Sequence, residues 1–354
     1  LSRVYNRAGG RQFAPVGQHI AHGEQVPGAI GGQALEIGVH AVEHERADTA
    51  HIWHGVERAP VAAQTAQPID ARAGRQQIIA EVDYSAAALT LYEGAIHMVQ
   101  SEPFQVERLD WEGRKAYVRR THVDYYTDAI DYTRLKVLDE AEGAPAGQGS
   151  AHHGEVHVLR RVSGYKKIRF HTHENIGYGP VNLPDQELHT TACWWQLPQH
   201  VLEARFASRQ EALDGFLSAA YALHLVAMVS VMAEGRDLQK AVGSGDGAWF
   251  ATADQGGRGQ LRSGDSGEAL ADPTRGFTPT LFLYDNYPGG VGLSLPLFER
   301  REDLRRQALE LIRACPCAHG CPACVGPVLA SSEVDGSSVK EAGTRVLELL
   351  GEAA

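Results

Sequence analysis

The chain has 354 residues, a formal net charge of −11 at pH 7 and a hydrophobic content of 43%. This length accommodates two domains of ordinary size, and the apolar content is sufficient for buried cores. The acidic charge argues against binding of nucleic acid by bulk charge alone. No run approaches the roughly eighteen apolar residues that a membrane span requires, so we expect no membrane partner.

Residues 1–76 differ in composition from the rest, being rich in Ala, Gly, Gln, His and Arg and poor in Phe and Leu. Only residues 34–39 show a strand pattern, and pairs such as His40 and His44 lie in no helical pattern that would align them for a metal. We therefore expect a poorly ordered or mistranslated N-terminal segment. The chain begins at Leu1 and no signal peptide follows, which predicts a fragment or a lost start, located in the cytoplasm.

Short segments of alternating polarity follow, separated by turn residues, which is typical of a small antiparallel barrel or sandwich. We predict a β-rich domain over residues 77–209. Residues 141–154, rich in Gly, Ala, Pro and Ser, are predicted to form a loop. The predicted strands lie at residues 77–82, 94–99, 104–109, 115–118 and 187–197, with one or two helical turns at 85–91.

The most basic segment of the chain is a predicted hairpin, formed by residues 156–162 and 165–170 across Ser163 and Gly164. Its cations are interleaved with aromatic side chains, a combination that favours a groove for single-stranded DNA. A solvated sheet face explains the same residues equally well. The interleaved aromatics are Tyr165 and Phe170, and the candidate nucleic-acid contacts are Arg160, Arg161, Lys166, Lys167 and Arg169.

Residues 210–354 mix helical and strand patterns, which predicts a mixed α/β domain. Its first helix is long and apolar but contains polar residues, as expected of a core helix rather than a membrane span. Helices are predicted at residues 210–233 and 338–350, and a third is predicted from a Gly-rich turn at residues 286–293 to about residue 313. A buried strand is predicted at 279–285, and Gly-rich loops are predicted at 242–247 and 255–267. The fold class is therefore α+β: a small antiparallel β-rich domain followed by a mixed α/β domain with a four-cysteine zinc site.

A Gly-rich turn at residues 286–293 joins the buried strand to the following helix. Backbone N–H groups in such a turn can bind an anion, but the chain contains no G-x4-G-K-[ST] phosphate loop. Close packing of strand and helix is the favoured interpretation. Asp285 at the strand end has no identifiable partner base or nucleophile, so hydrolase or transferase chemistry is a weaker alternative.

Four of the five cysteines fall within ten residues, in a C-x-C-x3-C-x2-C pattern. Four thiolates this close can bind one tetrahedral metal ion. Pro316 and Pro322 keep the preceding cysteines extended, and Gly320 permits a tight reversal. The pattern predicts a closed, structural Zn²⁺ site whose ligands are Cys315, Cys317, Cys321 and Cys324.

Other chemistry uses the same ligands. An iron–sulfur cluster also takes four thiolates, but the spacing matches neither common ferredoxin pattern. Disulfides require an oxidising compartment, and a redox C-x2-C pair normally follows a strand rather than a long helix. His319 is an alternative ligand, although four thiolates already complete the tetrahedron. Cys193, flanked by an aromatic residue, is predicted to be a buried apolar thiol.

Residues 284–293, followed by a helix and the cysteine pattern, resemble the zinc-binding C-terminal domain of MrfA/YprA-type DEAD/DEAH-box DNA helicases. The similarity to this family spans about residues 77–327. Its other segments lie at residues 94–97, 124–127, 162–167 and 188–195.

The resemblance implies a superfamily 2, ATP-dependent 3′-to-5′ DNA helicase that acts in DNA repair, with the four cysteines on zinc. The two motor domains of that family have no counterpart in this chain, so we expect neither ATP hydrolysis nor unwinding by the chain alone. The expected role is an accessory region that guides single-stranded DNA beside helicase motor domains supplied in cis or in trans. The alternative is a structural interaction subunit of a separate helicase, for example in phage defence.

Overall fold

The computed structural model describes residues 34–40, 78–253, 259–270, 276–326, 329 and 338–351. Within the first 76 residues it describes only strand β1 (Ala34–His40), which confirms the strand pattern at that position. The expected disorder or mistranslation of the remaining N-terminal residues, including His44, lies outside the described residues.

The first sheet has five strands in the order β2-β1-β5-β4-β3. β1 and β2 pair in parallel, and the other neighbours are antiparallel. The helix α1 contributes Ala87 to a core that includes Tyr92, Phe104 and Val118. The added elements are β2 (Ile78–Asp83), α1 (Tyr84–Thr90), β3 (Ile96–Val99), β4 (Glu102–Asp110) and β5 (Lys115–Arg120).

The second sheet is antiparallel, with the order β12-β11-β10-β13-β9-β7-β6, and β8 pairs with β7 alongside this path. The sheet curls strongly, so that strand β6 at one edge reaches the loop between β10 and β11. There the Val137 N–H of β6 donates to the Gly245 carbonyl at 2.8 Å. Its strands are β6 (Tyr125–Ala146), β7 (Gly149–Arg169), β8 (Asn175–Pro180), β9 (Gln186–Gln196), β10 (Leu238–Gly243), β11 (Trp249–Ala253), β12 (Gly259–Ser263) and β13 (Thr280–Asp285).

The five described helices on the outer side of this sheet are α2 (Gln199–Arg205), α3 (Arg209–Val231), α4 (Ser294–Glu299), α5 (Arg301–Ala314) and α6 (Val339–Leu349). α3 and α4 pack directly on the outer face of the sheet, and α2, α5 and α6 pack against α3. Trp195 and Leu283 on that face share a core with Phe216 of α3. Trp194 and Phe282 alternate with them and belong to the cluster inside the curl. Both sides of the central strands are therefore buried, as expected from their apolar sequences.

Helix α3 is long and apolar enough to cross a membrane, but 72% of its most apolar window is buried inside the fold. Ser208 caps it by accepting the Glu211 N–H at 3.1 Å. α6 packs closely against α3 at Gly343, where a side chain would not fit: an added Cβ would lie 2.2 Å from Ser218 Oγ. The expectation that no segment is apolar enough for a membrane span is therefore wrong for this helix, but its burial is that of a core helix, as predicted.

The prediction of a loop at residues 141–154 is wrong. β6 and β7 stay paired up to Ala146 and Gly149, and the chain reverses over Gly147 and Gln148. The small residues serve close packing instead, since a Cβ on Gly149 would lie 2.1 Å from the Gln196 carbonyl oxygen. The tip rests on α6, where the Gln148 N–H donates to the Leu349 carbonyl at 2.8 Å.

The predicted turn at Ser163 and Gly164 is also wrong, because both lie within the single strand β7. Ile130 pairs with Gly164 and Asp131 with Val162, so Ser163 is the extra residue of a β-bulge. Two further corrections follow: strand β12 occupies part of the predicted loop at 255–267, and the helix predicted up to about 313 is divided into α4 and α5 at Arg300.

The α+β class is confirmed, with antiparallel pairing dominant in both sheets. The division between residues 209 and 210 remains a prediction. The second sheet takes strands from both sides of that position, because β9 pairs directly with β13.

Candidate metal centre and basic surface

The cysteine cluster begins where α5 ends. The Cys315 N–H still donates to the Ile312 carbonyl at 3.4 Å, and the backbone then becomes extended. Gly320 has a φ of +124°, which lets the chain reverse before the second pair. The N–H groups of Cys324 and Val325 both donate to the Cys321 carbonyl at 3.0 Å, which forms a tight turn around the last two cysteines.

The four thiol sulfurs converge on one point. Cys315 Sγ lies 3.4 Å from Cys321 Sγ, Cys317 Sγ lies 3.5 Å from Cys324 Sγ, and all four sulfurs lie within 4.8 Å of one another. A tetrahedral zinc ion with Zn–S bonds of about 2.3 Å requires sulfurs roughly 3.8 Å apart. The donor set and its spacing therefore fit a zinc ion with four thiolate ligands.

Helix α6 holds the cysteine loop through its first turn. Lys340 Nζ donates to the carbonyl oxygens of Cys315 (2.6 Å) and Cys317 (2.8 Å). Ser338 Oγ and the Lys340 N–H donate to the His319 carbonyl at 3.2 and 3.1 Å. The ammonium group also places a positive charge beside the site. Four thiolates bound to one Zn²⁺ would leave this site with a net negative charge. Sequence spacing gave no signal for Lys340, which lies 25 residues beyond Cys315.

The cysteine site joins the hydrophobic core at its edge. Cys324 is buried with Val325 and Val339, and Leu217 of α3 and Leu311 of α5 pack against this cluster. His319 contributes its backbone carbonyl, and its exposed side chain is not in the group that surrounds the common point. Metal binding at this position would connect α3, α5 and α6.

The four thiols are not equivalent. The hydrogen bond with Cys315 lowers the pKa of Cys321 to about 7, whereas burial raises the pKa of Cys324 to about 12. A zinc ion requires all four as thiolates, so its binding must release protons and weaken as the pH falls.

Strand β7 carries all five predicted nucleic-acid contacts, but Arg160 is 9% exposed. Its guanidinium donates to Tyr284 Oη at 3.3 Å and to Asn286 Oδ1 at 3.1 Å. Asp131 lies 3.9 Å away. Arg160 thus supports the strand end and the Gly-rich turn, and its guanidinium is engaged inside the fold.

The other two arginines are more exposed and engaged in ion pairs. Arg161 donates to both oxygens of Asp185 at 2.7 and 2.6 Å, and these hydrogen bonds lower the pKa of Asp185. Arg169 lies 3.4 Å from Asp124 and from Glu174. Acidic neighbours therefore offset much of the positive charge of the segment.

The two lysines of the segment, Lys166 and Lys167, differ from the arginines in their surroundings. Lys167 Nζ lies 5.5 Å from the ring centroid of Tyr125. Neither Lys166 nor Lys167 has an ion-pair partner among the residues that the structure describes. They are the cations of this segment that are most available to a phosphate backbone.

Asp285 and the Gly-rich turn bind each other. The Asp285 side chain is fully buried, and its Oδ2 accepts the N–H groups of Val291 (2.8 Å), Gly292 (2.9 Å) and Leu293 (3.0 Å). The N–H groups that could have bound an external anion are occupied by this internal carboxylate. The arrangement favours the packing interpretation over hydrolase or transferase chemistry.

Comparison with known proteins gives three kinds of match. Residues 219–325 match the model of the MrfA Zn-binding domain. The chain is 34% identical over 274 residues to the uncharacterized ATP-dependent helicase YprA of Bacillus subtilis, covering 77% of this chain and 32% of YprA. It is 23% identical over 261 residues to the ATP-dependent helicase HRQ1 of Saccharomyces cerevisiae, covering 73% of this chain and 22% of HRQ1.

A crystal structure of the DUF1998 helicase MrfA bound to DNA shares 32% identity and a TM-score of 0.48, covering 76% of this chain and 31% of that protein. The chain thus spans about a third or less of the length of these relatives. Residues 219–325 therefore match the MrfA Zn-binding domain family, and 77% of the chain is similar to one region of the helicase YprA.

Proposed function

We propose that the chain is an accessory region of an ATP-dependent DNA helicase, in which a zinc-stabilised fold guides single-stranded DNA beside the motor domains. The observation that carries the proposal is the convergence of four cysteine sulfurs in a region that matches the MrfA Zn-binding domain. Homology to the helicase YprA supports the link to a motor. A role in DNA repair and a 3′-to-5′ polarity enter the proposal through the family that the sequence resembles.

In this proposal zinc is structural. Four thiolates fill a tetrahedral ion, which leaves no coordination position for water or substrate. The surrounding contacts support this role, since the ligands pack against core helices and Lys340 fixes their backbone. ATP hydrolysis belongs to the motor domains, and the cytoplasm, where thiolates stay reduced, is the proposed location.

Lys166 and Lys167 are the proposed electrostatic contacts, so K166Q/K167Q tests the guide role. We expect the variant to bind fluorescent single-stranded DNA more weakly at low salt, measured by anisotropy. Each phosphate contact lowers the slope of log K against log salt by about 0.7 for single strands. Because the arginines are already paired, we expect a wild-type slope no steeper than about −1.4 and a shallower slope for the variant.

The control is K136Q/R236Q, which removes two exposed positive charges elsewhere on the surface, although Arg236 differs from the two lysines in being ion-paired with Glu234 at 2.8 Å. It should bind DNA nearly as the wild type does. Absence of binding by the wild type at low salt, or equal weakening by both double variants, would contradict a specific guide surface.

The second candidate function is a structural subunit that binds a separate helicase without touching DNA. One observation favours it: Arg160 is buried, and Arg161 and Arg169 have acidic partners. Co-purification with a separately expressed motor, combined with no DNA affinity at low salt, is the result that would support it.

A further inference from the structure

We propose that one face of the second sheet, at its β6–β7–β8 end, is a stacking platform for the bases of single-stranded DNA. This aromatic face is formed by Tyr126, Lys166, Ile168, Phe170 and Tyr178. The inference rests on the function proposed above and adds contacts that the basic residues alone do not predict.

The strand register places these side chains on one side of the sheet. Lys166 of β7 pairs directly with Tyr178 of β8, and Ile168 of β7 pairs with Tyr126 of β6. Directly paired residues point to the same side of an antiparallel sheet, and so do residues two apart in one strand. The ring of Phe170, two residues beyond Ile168, lies 5.9 Å from that of Tyr126.

The opposite side of the same strands is packed against the first core. Tyr165, one of the two aromatics predicted to interleave with the cations, is 8% exposed and stacks on Tyr92 with ring centroids 5.0 Å apart. A Cβ on Gly179 would lie 2.3 Å from the Tyr165 ring. The aromatic face therefore lies on the side of the sheet that points away from this core.

Exposure singles out Tyr178. Its side chain is 54% exposed, although a tyrosine ring normally gains free energy from burial. It lies between Gly177 and Gly179, which add no side chains beside it in β8. A ring held on a strand, exposed on its face and directly paired with a lysine, offers stacking and phosphate contact to the same nucleotide segment.

The charges around β7 also favour a role for stacking in DNA binding. Acidic residues pair with the arginines of β7, and Asp128 lies opposite Lys166 on β6. Attraction of phosphates is therefore weak here, so stacking has to supply much of the affinity for DNA. Base stacking tolerates any sequence because every base has a π face, and this suits a guide for an arbitrary strand.

Tyr178→Ala tests the platform. We expect single-stranded DNA affinity to fall by about fivefold or more, with the salt slope unchanged, because stacking releases no counterions. Tyr178→Phe keeps the ring and should bind as the wild type does. Tyr84→Ala removes a tyrosine of moderate exposure (36%) on α1 and serves as the matched control.

Photocrosslinking with 5-iodouracil DNA gives an independent readout, since this base reacts with aromatic rings that stack on it. Crosslinks mapped to Tyr178 or Tyr126 by mass spectrometry would support the platform. Normal binding by Y178A and by Y126A, with K166Q/K167Q weakened, would overturn the platform and leave the guide function standing. Absence of DNA binding by the wild type would overturn both the platform and the guide function.

Discussion

Among single residues, Cys321 contributes both its backbone and its side chain to the metal site. Its carbonyl closes the turn that carries Cys324, and its sulfur lies within 3.7 Å of the sulfurs of Cys315 and Cys324. Its side chain and backbone therefore both shape the site, and a change at this position tests the metal and the fold together.

Cys321→Ser should lower the zinc content below one ion per chain and reduce the melting temperature by roughly 5 °C or more, because metal binding and folding are coupled. Elemental analysis and thermal melting measure the two effects. Cys193→Ala is the control: this thiol is buried away from the site, so its loss should leave the zinc content intact even if the core softens. An unchanged melt for C321S would contradict a structural metal.

His224 makes the free energy of unfolding depend on pH. Burial, assisted by the charge of Lys240, lowers its pKa to about 4, and its Nε2 lies 2.8 Å from the Leu238 carbonyl, to which the neutral ring donates. The unfolded chain binds a proton at this residue below about pH 6.5. The unfolded state therefore holds more protons between about pH 6.5 and 4, and the free energy of unfolding falls as the pH drops through that window.

His224→Gln keeps a donor for the carbonyl but cannot titrate. We expect the wild type to lose about 3 kcal/mol more than the variant between about pH 6.5 and 4, as measured by denaturant titrations. The difference between the two proteins isolates His224, because acid weakens the metal site equally in both. Parallel pH profiles would contradict this account.

At the scale of elements, the turn between β13 and α4 depends on Asp285. Three backbone N–H groups converge on one of its oxygens, so the turn has no other acceptor for them in the described structure. Asp285→Ala should cost about 2–3 kcal/mol of stability, the typical loss for hydrogen bonds to a charged acceptor. Asp285→Asn retains one carbonyl oxygen and should cost less. Equal melting of D285A and the wild type would reopen the alternative of a reactive carboxylate.

The long hairpin shows why some elements escaped prediction. Composition marks residues 141–154 as a loop, yet their glycines allow neighbouring backbones to approach within a sheet. The Ser163 and Gly164 pair likewise has the composition of a turn, and only the partners β6 and β8 decide that it forms a bulge. Local propensity cannot distinguish these cases, because tertiary pairing determines them.

For the whole molecule, the sequence predicted the elements that periodicity and chemistry specify. Strand β13, the core helix α3 and the convergence of the four cysteines are confirmed. The DNA contacts depend on which side chains point outward and which acids lie beside them. Arg160 and Arg161 are adjacent in sequence, but one is buried and the other is paired at the surface, a difference that appears only in the folded chain.

The pairing of β9 with β13 has a practical consequence for dissecting the protein. A fragment cut at residue 210 would separate these two strands and leave one side of β13 with unsatisfied amides and carbonyls along an apolar segment. Such an open border invites edge-to-edge association with other chains. If a fragment that begins at residue 210 is insoluble, the cause would then be the loss of β9 from the sheet rather than the loss of the metal. A soluble fragment that contains the zinc site has to include β9.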